Sequence, residues 1–153
     1  MLQRFRLWSL TIAFGGLTLA STANAASASN LTTEISGLRN RKGQLCFSVF
    51  SKSQGFPTSG DSAVQNKCVK ITNASMRVTF KSLSPGNYAI AVLHDENNDQ
   101  QANRNFLGLP TEGFGFSRNP AIVAGPPKFA DSAVLVAGQN TTTQIRLRYL
   151  LGK

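Results

Sequence analysis

From Asn30 onward, apolar residues recur at every second position and Gly, Pro, Ser and Asn punctuate the runs, which predicts short strands rather than helices. Leu31 to Leu38 alternates in this way and ends at the turn signal Asn40-Arg41-Lys42-Gly43. In Gln44 to Phe50, Leu45, Phe47 and Val49 share one face and Cys46 and Ser48 the other. Ser51 to Asn66 is polar and contains Gly55, Pro57 and Gly60, so it reads as a loop with one helical turn near Ser62 to Asn66. Lys67 to Ile71 is a short strand with Cys68 and Lys70 on its outer face. Met76, Val78 and Phe80 alternate with Arg77, Thr79 and Lys81, the pattern of a half-buried strand. Ser84-Pro85-Gly86-Asn87 predicts a turn with glycine at a position of positive φ. Tyr88 to Leu93, apolar on both faces, is expected to be a central strand. A long loop then runs from His94 to about Pro120. The strands Ser132 to Ala137 and Thr141 to Leu150 follow, joined by Gly138-Gln139-Asn140 as a hairpin turn. Ile145, Leu147 and Tyr149 face inward in the last of them.

About seven short strands without an amphipathic helix make an all-β domain, a single antiparallel β-sandwich with Greek-key connections. The first residues lie outside it. Arg4 and Arg6 precede a largely apolar run, Leu7 to Ala20, and Ala23-Asn24-Ala25 offers the small residues of an export-signal cleavage site. Residues 1–25 are therefore expected to be a signal peptide and 26–153 the sandwich domain, exported to the periplasm or beyond the cell. The apolar run is shorter than the ~20 residues that span a bilayer, so no transmembrane segment is expected after cleavage. Cys46 and Cys68, an even pair in an exported chain, are expected to form a disulfide.

The full chain carries 16 Lys and Arg against 7 Asp and Glu, a net charge of +9. Without Arg4 and Arg6 the balance is 14 against 7, a net of +7. Such an excess suits an anionic cell-envelope polysaccharide or lipid surface, or is simply a solvated basic exterior. The basic residues are scattered and no nucleic-acid-binding motif accompanies them, so nucleic acid is not an expected partner.

The scarce acids are not scattered. Asp95, Glu96, Asp99 and Glu112, four of the seven, fall within the long loop. Its opening, Asp95-Glu96-Asn97-Asn98-Asp99, puts oxygen-bearing side chains at alternate positions, a spacing that lets a curled backbone aim them at a hard cation such as calcium. The loop resembles the first half of an EF-hand or dockerin loop, with Asn103 at the ninth position. It departs from that pattern at Gln100, where glycine is usual, and at Phe106, where a carboxylate is usual. Glu112 would have to fold back, giving Asp95, Asn97, Asp99, Asn103 and Glu112 as the candidate metal ligands. The competing reading is a network of Asx turns in which these side chains cap their own backbone.

His94, the single histidine, stands at the strand end beside Asp95. An enzyme reading, a hydrolase or transferase, would use His94, Asp95 and Glu112 as acid–base groups. Neighbours on a strand point to opposite faces, however, so His94 and Asp95 should not converge. No nucleophile elbow, zinc-protease helix or phosphate-binding loop is present, and no catalytic residue is assigned. His94, Glu96, Glu112, Phe114 and Phe116 are candidate binding residues, with Phe106, Phe114 and Phe116 either pinning the loop to the core or forming an exposed ledge.

The run His94-Asp95-Glu96-Asn97, then Gly108-Leu109-Pro110, Glu112-Gly113-Phe114-Gly115-Phe116-Ser117 and Pro126-Pro127-Lys128-Phe129, resembles a family of small exported bacterial proteins known as domain of unknown function 2141. Gln100, Gln101 and Asn103 stand where that family usually carries Gly and Asp. Leu83-Ser84-Pro85-Gly86-Asn87-Tyr88 is similar to the start of a strand in transthyretin-like and carboxypeptidase-regulatory-like sandwiches. The resemblance implies a fold and a location, not an activity. The expectation is an exported, non-catalytic sandwich with a loop site from His94 to Ser117, supported by calcium or by hydrogen bonds alone.

Overall fold

A computed structural model describes residues 28–123 and 125–151. The expected signal peptide, residues 1–25, and its expected cleavage site lie outside them. Two sheets face each other. The first has β4 (Met76–Leu83), β1 (Ser29–Ser36) and β8 (Asn140–Arg146) in that order. The second has β3 (Gln65–Lys70), β2 (Gln44–Phe50), β5 (Gly86–Asp95) and β6 (Gly113–Phe116), with β7 (Val134–Val136) also on β5. Because each strand alternates, one set of side chains fills the space between the sheets: Leu31 and Ile35, Leu45, Phe47 and Val49, Val78 and Phe80, Tyr88, Ile90 and Val92, and Ile145 and Leu147. Phe47 and Phe80 meet edge to face across this core, centroids 5.7 Å apart.

The disulfide forms as expected. Cys46 and Cys68 are directly opposite in the β2–β3 ladder, and both lie on the face turned away from the core. β5 is central, as its two apolar faces require. Its outer face is covered by a second, smaller cluster in which Phe56 touches Phe50, Phe116 and Phe129, with centroids 5.3, 6.0 and 6.0 Å apart. The Pro-Pro-Lys-Phe stretch is thereby explained as packing: it delivers Phe129 to Phe56 from the single helical turn α1 (Phe129–Ser132).

Four expectations need correction. The region from His94 to Pro120 is not all loop. β5 runs on through His94 and Asp95, and β6 pairs with it from Ala91↔Phe116 to His94↔Gly113, so eight strands are formed among the described residues and the connection is 96–112. A Cβ on Gly113 would lie 2.2 Å from the Tyr149 ring, and one on Gly115 would lie 2.7 Å from Ile145 Cγ2. Glycine at alternate positions thus lets the end of the chain lie flat on β6. Second, β7 and β8 are not a hairpin. β7 pairs with the start of β5, whereas β8 crosses to the other sheet and pairs in parallel with β1, from Asn30↔Asn140 to Ser36↔Arg146. Beyond β8, Arg148 exchanges two backbone hydrogen bonds with Phe114, of 3.0 and 2.8 Å, joining the two sheets at this corner. Third, the helical turn of the 51–64 loop is a 3-10 turn at Gly60–Ser62. Fourth, the positive φ before β5 belongs to Ser82, at 60°, where an irregularity shifts the β1–β4 register, and Gly86 already pairs with Val136.

Candidate functional site

The antiparallel register places the ends of β2 and β5 together, with Gln44 opposite both Asp95 and Lys70. This end of the sandwich carries the β1–β2 turn, the 96–112 loop and the residues after β8. Strand alternation separates His94 and Asp95 as expected, and each is fully buried in a different setting.

His94 points inward. Its Nε2 lies 2.9 Å from the Lys42 carbonyl, which only accepts, so Nε2 carries the proton. Nδ1 is then the acceptor for the Tyr149 hydroxyl at 2.6 Å. Burial keeps the Tyr149 phenol above its ordinary pKa, which preserves it as a donor, and the hydroxyl in turn accepts the Arg39 amide at 3.2 Å. The Arg39 guanidinium sits 4.6 Å from the Tyr149 ring centroid. It donates to Glu96 Oε1 at 2.6 Å, to the Leu151 carbonyl at 3.0 Å and to the Thr111 carbonyl at 3.2 Å. One arginine therefore ties the β1–β2 turn, the loop and the chain end together.

Asp95 points outward, under the loop. Oδ1 accepts the Asp99 amide at 3.1 Å, and Oδ2 accepts the Gln100 amide at 3.0 Å and Gln44 Nε2 at 2.8 Å. Glu112, 6% exposed, reaches back across the loop to accept the Glu96 amide at 3.0 Å and the Asn103 amide at 3.4 Å. Asp99 accepts Asn97 Nδ2, Asn103 Nδ2 and the Gln101 amide at 2.8, 2.9 and 2.8 Å. Of the five candidate ligands, then, Asn97, Asp99 and Asn103 meet one another, while Asp95 and Glu112 are engaged with backbone amides. Among the described residues no three His, Cys, Asp or Glu side chains are grouped to hold a metal ion.

The carboxylates respond to these surroundings in different directions. Burial alone would raise the Glu96 pKa, but hydrogen bonds from Arg39 and Asn40 and the Arg39 charge outweigh it and the net shift is downward. Asp99 is lowered by the Asn103 amide, the Gln101 N–H and the Asn97 amide. Glu112 is raised, first by burial and further by the charges of Asp95 and Asp99, against the pull of its two amide donors. A lowered folded pKa contributes stability that is present above the unfolded value and lost as pH falls through the folded one; a raised pKa does the reverse. Stability carried by Glu96 is thus lost on acidification, whereas the contribution of Glu112 is complete at low pH and lost as pH rises through its raised value. Glu96→Gln should flatten the acid limb of a stability curve, and Glu112→Gln should remove an opposing decline; urea unfolding between about pH 3 and pH 7 measures both.

The aromatic candidates divide. Phe116 is buried, and Phe114 packs beside it at 5.9 Å, so both pin β6. Phe106 does the opposite and is 94% exposed at the loop tip. Sequence reasoning missed Arg39, Asn40, Gln44 and Tyr149 as members of this assembly, each of them far from the loop in the chain. Ser117, expected only as the end of the loop site, has a buried hydroxyl that accepts the Ile90 amide at 2.9 Å and donates to the Ser132 carbonyl, closing β6 onto α1.

No helix among the described residues is long and apolar enough to cross a membrane. Neither the curated proteins nor the solved structures compared with this chain include a match. Over residues 33–144, from the middle of β1 to the middle of β8, the sequence matches the family described as "Uncharacterized protein conserved in bacteria (DUF2141)", and the chain belongs to that family.

Proposed function

We propose that this chain is an exported, non-catalytic β-sandwich whose 96–112 loop is a hydrogen-bonded platform for binding. The observation that carries this reading is the pair of consecutive buried residues at the end of β5. Both His94 nitrogens are taken by Tyr149 and Lys42, and both Asp95 oxygens by the loop amides and Gln44. A general base needs a free lone pair facing substrate. Here Asp95 is spent on shaping the loop and His94 on tying the β1–β2 turn to Tyr149, and His94, Asp95 and Glu112 each bond to different partners. Export is supported by the leader pattern of residues 1–25 and by a disulfide, which persists in oxidising compartments.

A second reading, calcium binding, is favoured by the meeting of Asn97, Asp99 and Asn103. Calcium would need the amide oxygens of Asn97 and Asn103 turned toward it, in place of the nitrogens that now face Asp99. Thermal unfolding of chelator-treated protein separates the two. The platform reading expects the same midpoint with and without millimolar calcium. A rise of several degrees on adding calcium would replace it with the cation-supported reading.

A further inference from the structure

The loop tip combines two properties that rarely coincide. Its side chains are apolar and exposed: Phe106 by 94%, Leu107 by 66% and Leu109 by 38%. Its backbone, unlike that of an ordinary exposed turn, is largely satisfied from within. The Asn105 amide donates to the Leu109 carbonyl at 3.0 Å and the Gly108 amide to the Asn105 carbonyl at 2.9 Å. Asn105 Oδ1 accepts the amides of both Leu107 and Leu109 at 3.0 Å, and Arg104 caps the Gly108 carbonyl at 2.8 Å. Pro110 has no amide proton to satisfy. An Arg104↔Pro110 bridge closes the base.

We propose that Phe106, Leu107 and Leu109 form an interfacial anchor that seats this end of the sandwich on an anionic lipid bilayer. The proposal rests on the loop being a preformed platform and names what that platform meets. Leaving water costs several kcal/mol for each unsatisfied backbone group, and here the Phe106 amide and the Phe106 and Leu107 carbonyls are left for the polar headgroup layer to satisfy. The tip presents three apolar side chains, where a standard protein interface draws on about 20–30 residues a side, but enough to enter a headgroup layer. The charge agrees. Arg41, Lys42, Lys70 and Arg104 are exposed at the same end and form no ion pair among the described residues, whereas of the four carboxylates there Glu96 is paired with Arg39, Asp95 and Glu112 are buried, and Asp99 is exposed. Headgroup attraction then brings the tip to the surface and Phe106 holds it there.

The test is co-sedimentation of the protein, purified as its host leaves it and with its N-terminus determined, with vesicles of phosphatidylcholine alone or with one quarter phosphatidylglycerol. Phe106→Ser is compared with the parent; Phe106 touches no core, so the variant folds. Partition of the parent onto the anionic vesicles should exceed that of Phe106→Ser by about tenfold, the effect of leaving one Phe side chain in water. Arg41→Glu with Lys42→Glu should weaken partition at low salt and much less at high salt. Equal partition of parent and Phe106→Ser, or no partition of either, would overturn the anchor. Amide exchange in lipid-free protein reports separately on the platform. A protected loop with Phe106-independent partition overturns the anchor alone, and an unprotected loop with the same partition overturns both.

Discussion

Replacing Asp95 with alanine should lower the stability of the fold by about 3 kcal/mol, because it strips three donors of their acceptor at a buried position. The Asp99 and Gln100 amides and the Gln44 side chain all converge on that carboxylate. Hydrogen bonds to a charged group contribute more than neutral ones, and donors left without a partner in a desolvated site carry the whole cost of dehydration. The loss should be local before it is global. The 96–112 connection should loosen first, since its opening turn is built on Asp95, while β5 keeps its pairing with β2. Gln44→Ala, which removes one donor from the edge of the site, should cost much less. Urea unfolding measured on both variants checks the order as well as the size of the effect. A stability change within about 0.5 kcal/mol for Asp95→Ala would mean that water replaces the carboxylate freely.

Opening the Cys46–Cys68 disulfide should cost about as much, near 3 kcal/mol for a loop of this length in the chain-entropy treatment. The residues closed into that loop are 22 positions apart and include the whole polar segment between β2 and β3. Apart from its ladder with β2, β3 has little else to hold it. It is an edge strand with four of its six residues exposed, and Val69 is the residue it packs against the core. With Cys46 and Cys68 both changed to alanine, the amides of β3 should exchange first and the urea midpoint should fall, while the β2–β5 pairing persists. An unchanged midpoint after full reduction would show that the ladder alone fixes this edge.

Much of the scaffold is legible in the chain because strand alternation is a local signal. β2, β4 and β5 follow from single runs such as Met76-Arg77-Val78-Thr79-Phe80, where every polar residue faces out. β6 escapes such a reading. Gly113-Phe114-Gly115-Phe116 has no branched residue, and its glycines answer a contact with Tyr149 and Ile145 that the neighbouring sequence does not contain. β7 and β8 are legible as strands, but their pairing as a hairpin fails for a related reason. Gly138 does adopt a positive φ of 70°, as a turn signal suggests, but a turn does not specify which strand edge the chain finds next. β8 finds β1, at the cost of hairpin geometry, and completes the smaller sheet.

The site divides along the same line. Asp95, Asp99 and Glu112 announce themselves as the acids of a basic protein, and they are joined by one loop network. Arg39, Gln44 and Tyr149 are brought to it by register: Gln44 because it pairs with Asp95, Tyr149 because the chain end crosses β6. Of the phenylalanines, Phe114 and Phe116 obey the alternation of a strand, while Phe106 lies at a tip whose backbone hydrogen bonds leave no core within its reach.

The central claim is that the loop is held by its own side chains, with Asp95 as the acceptor on which it closes. Amide hydrogen exchange at Asp99 and Gln100, followed in chelator-treated protein, tests this most directly. Both amides should be protected well beyond an unstructured peptide, and both should lose that protection together in Asp95→Ala while Ile90 and Val92 retain theirs. Exchange at the unstructured rate in the parent protein, or protection that arises only when calcium is supplied, would contradict the account.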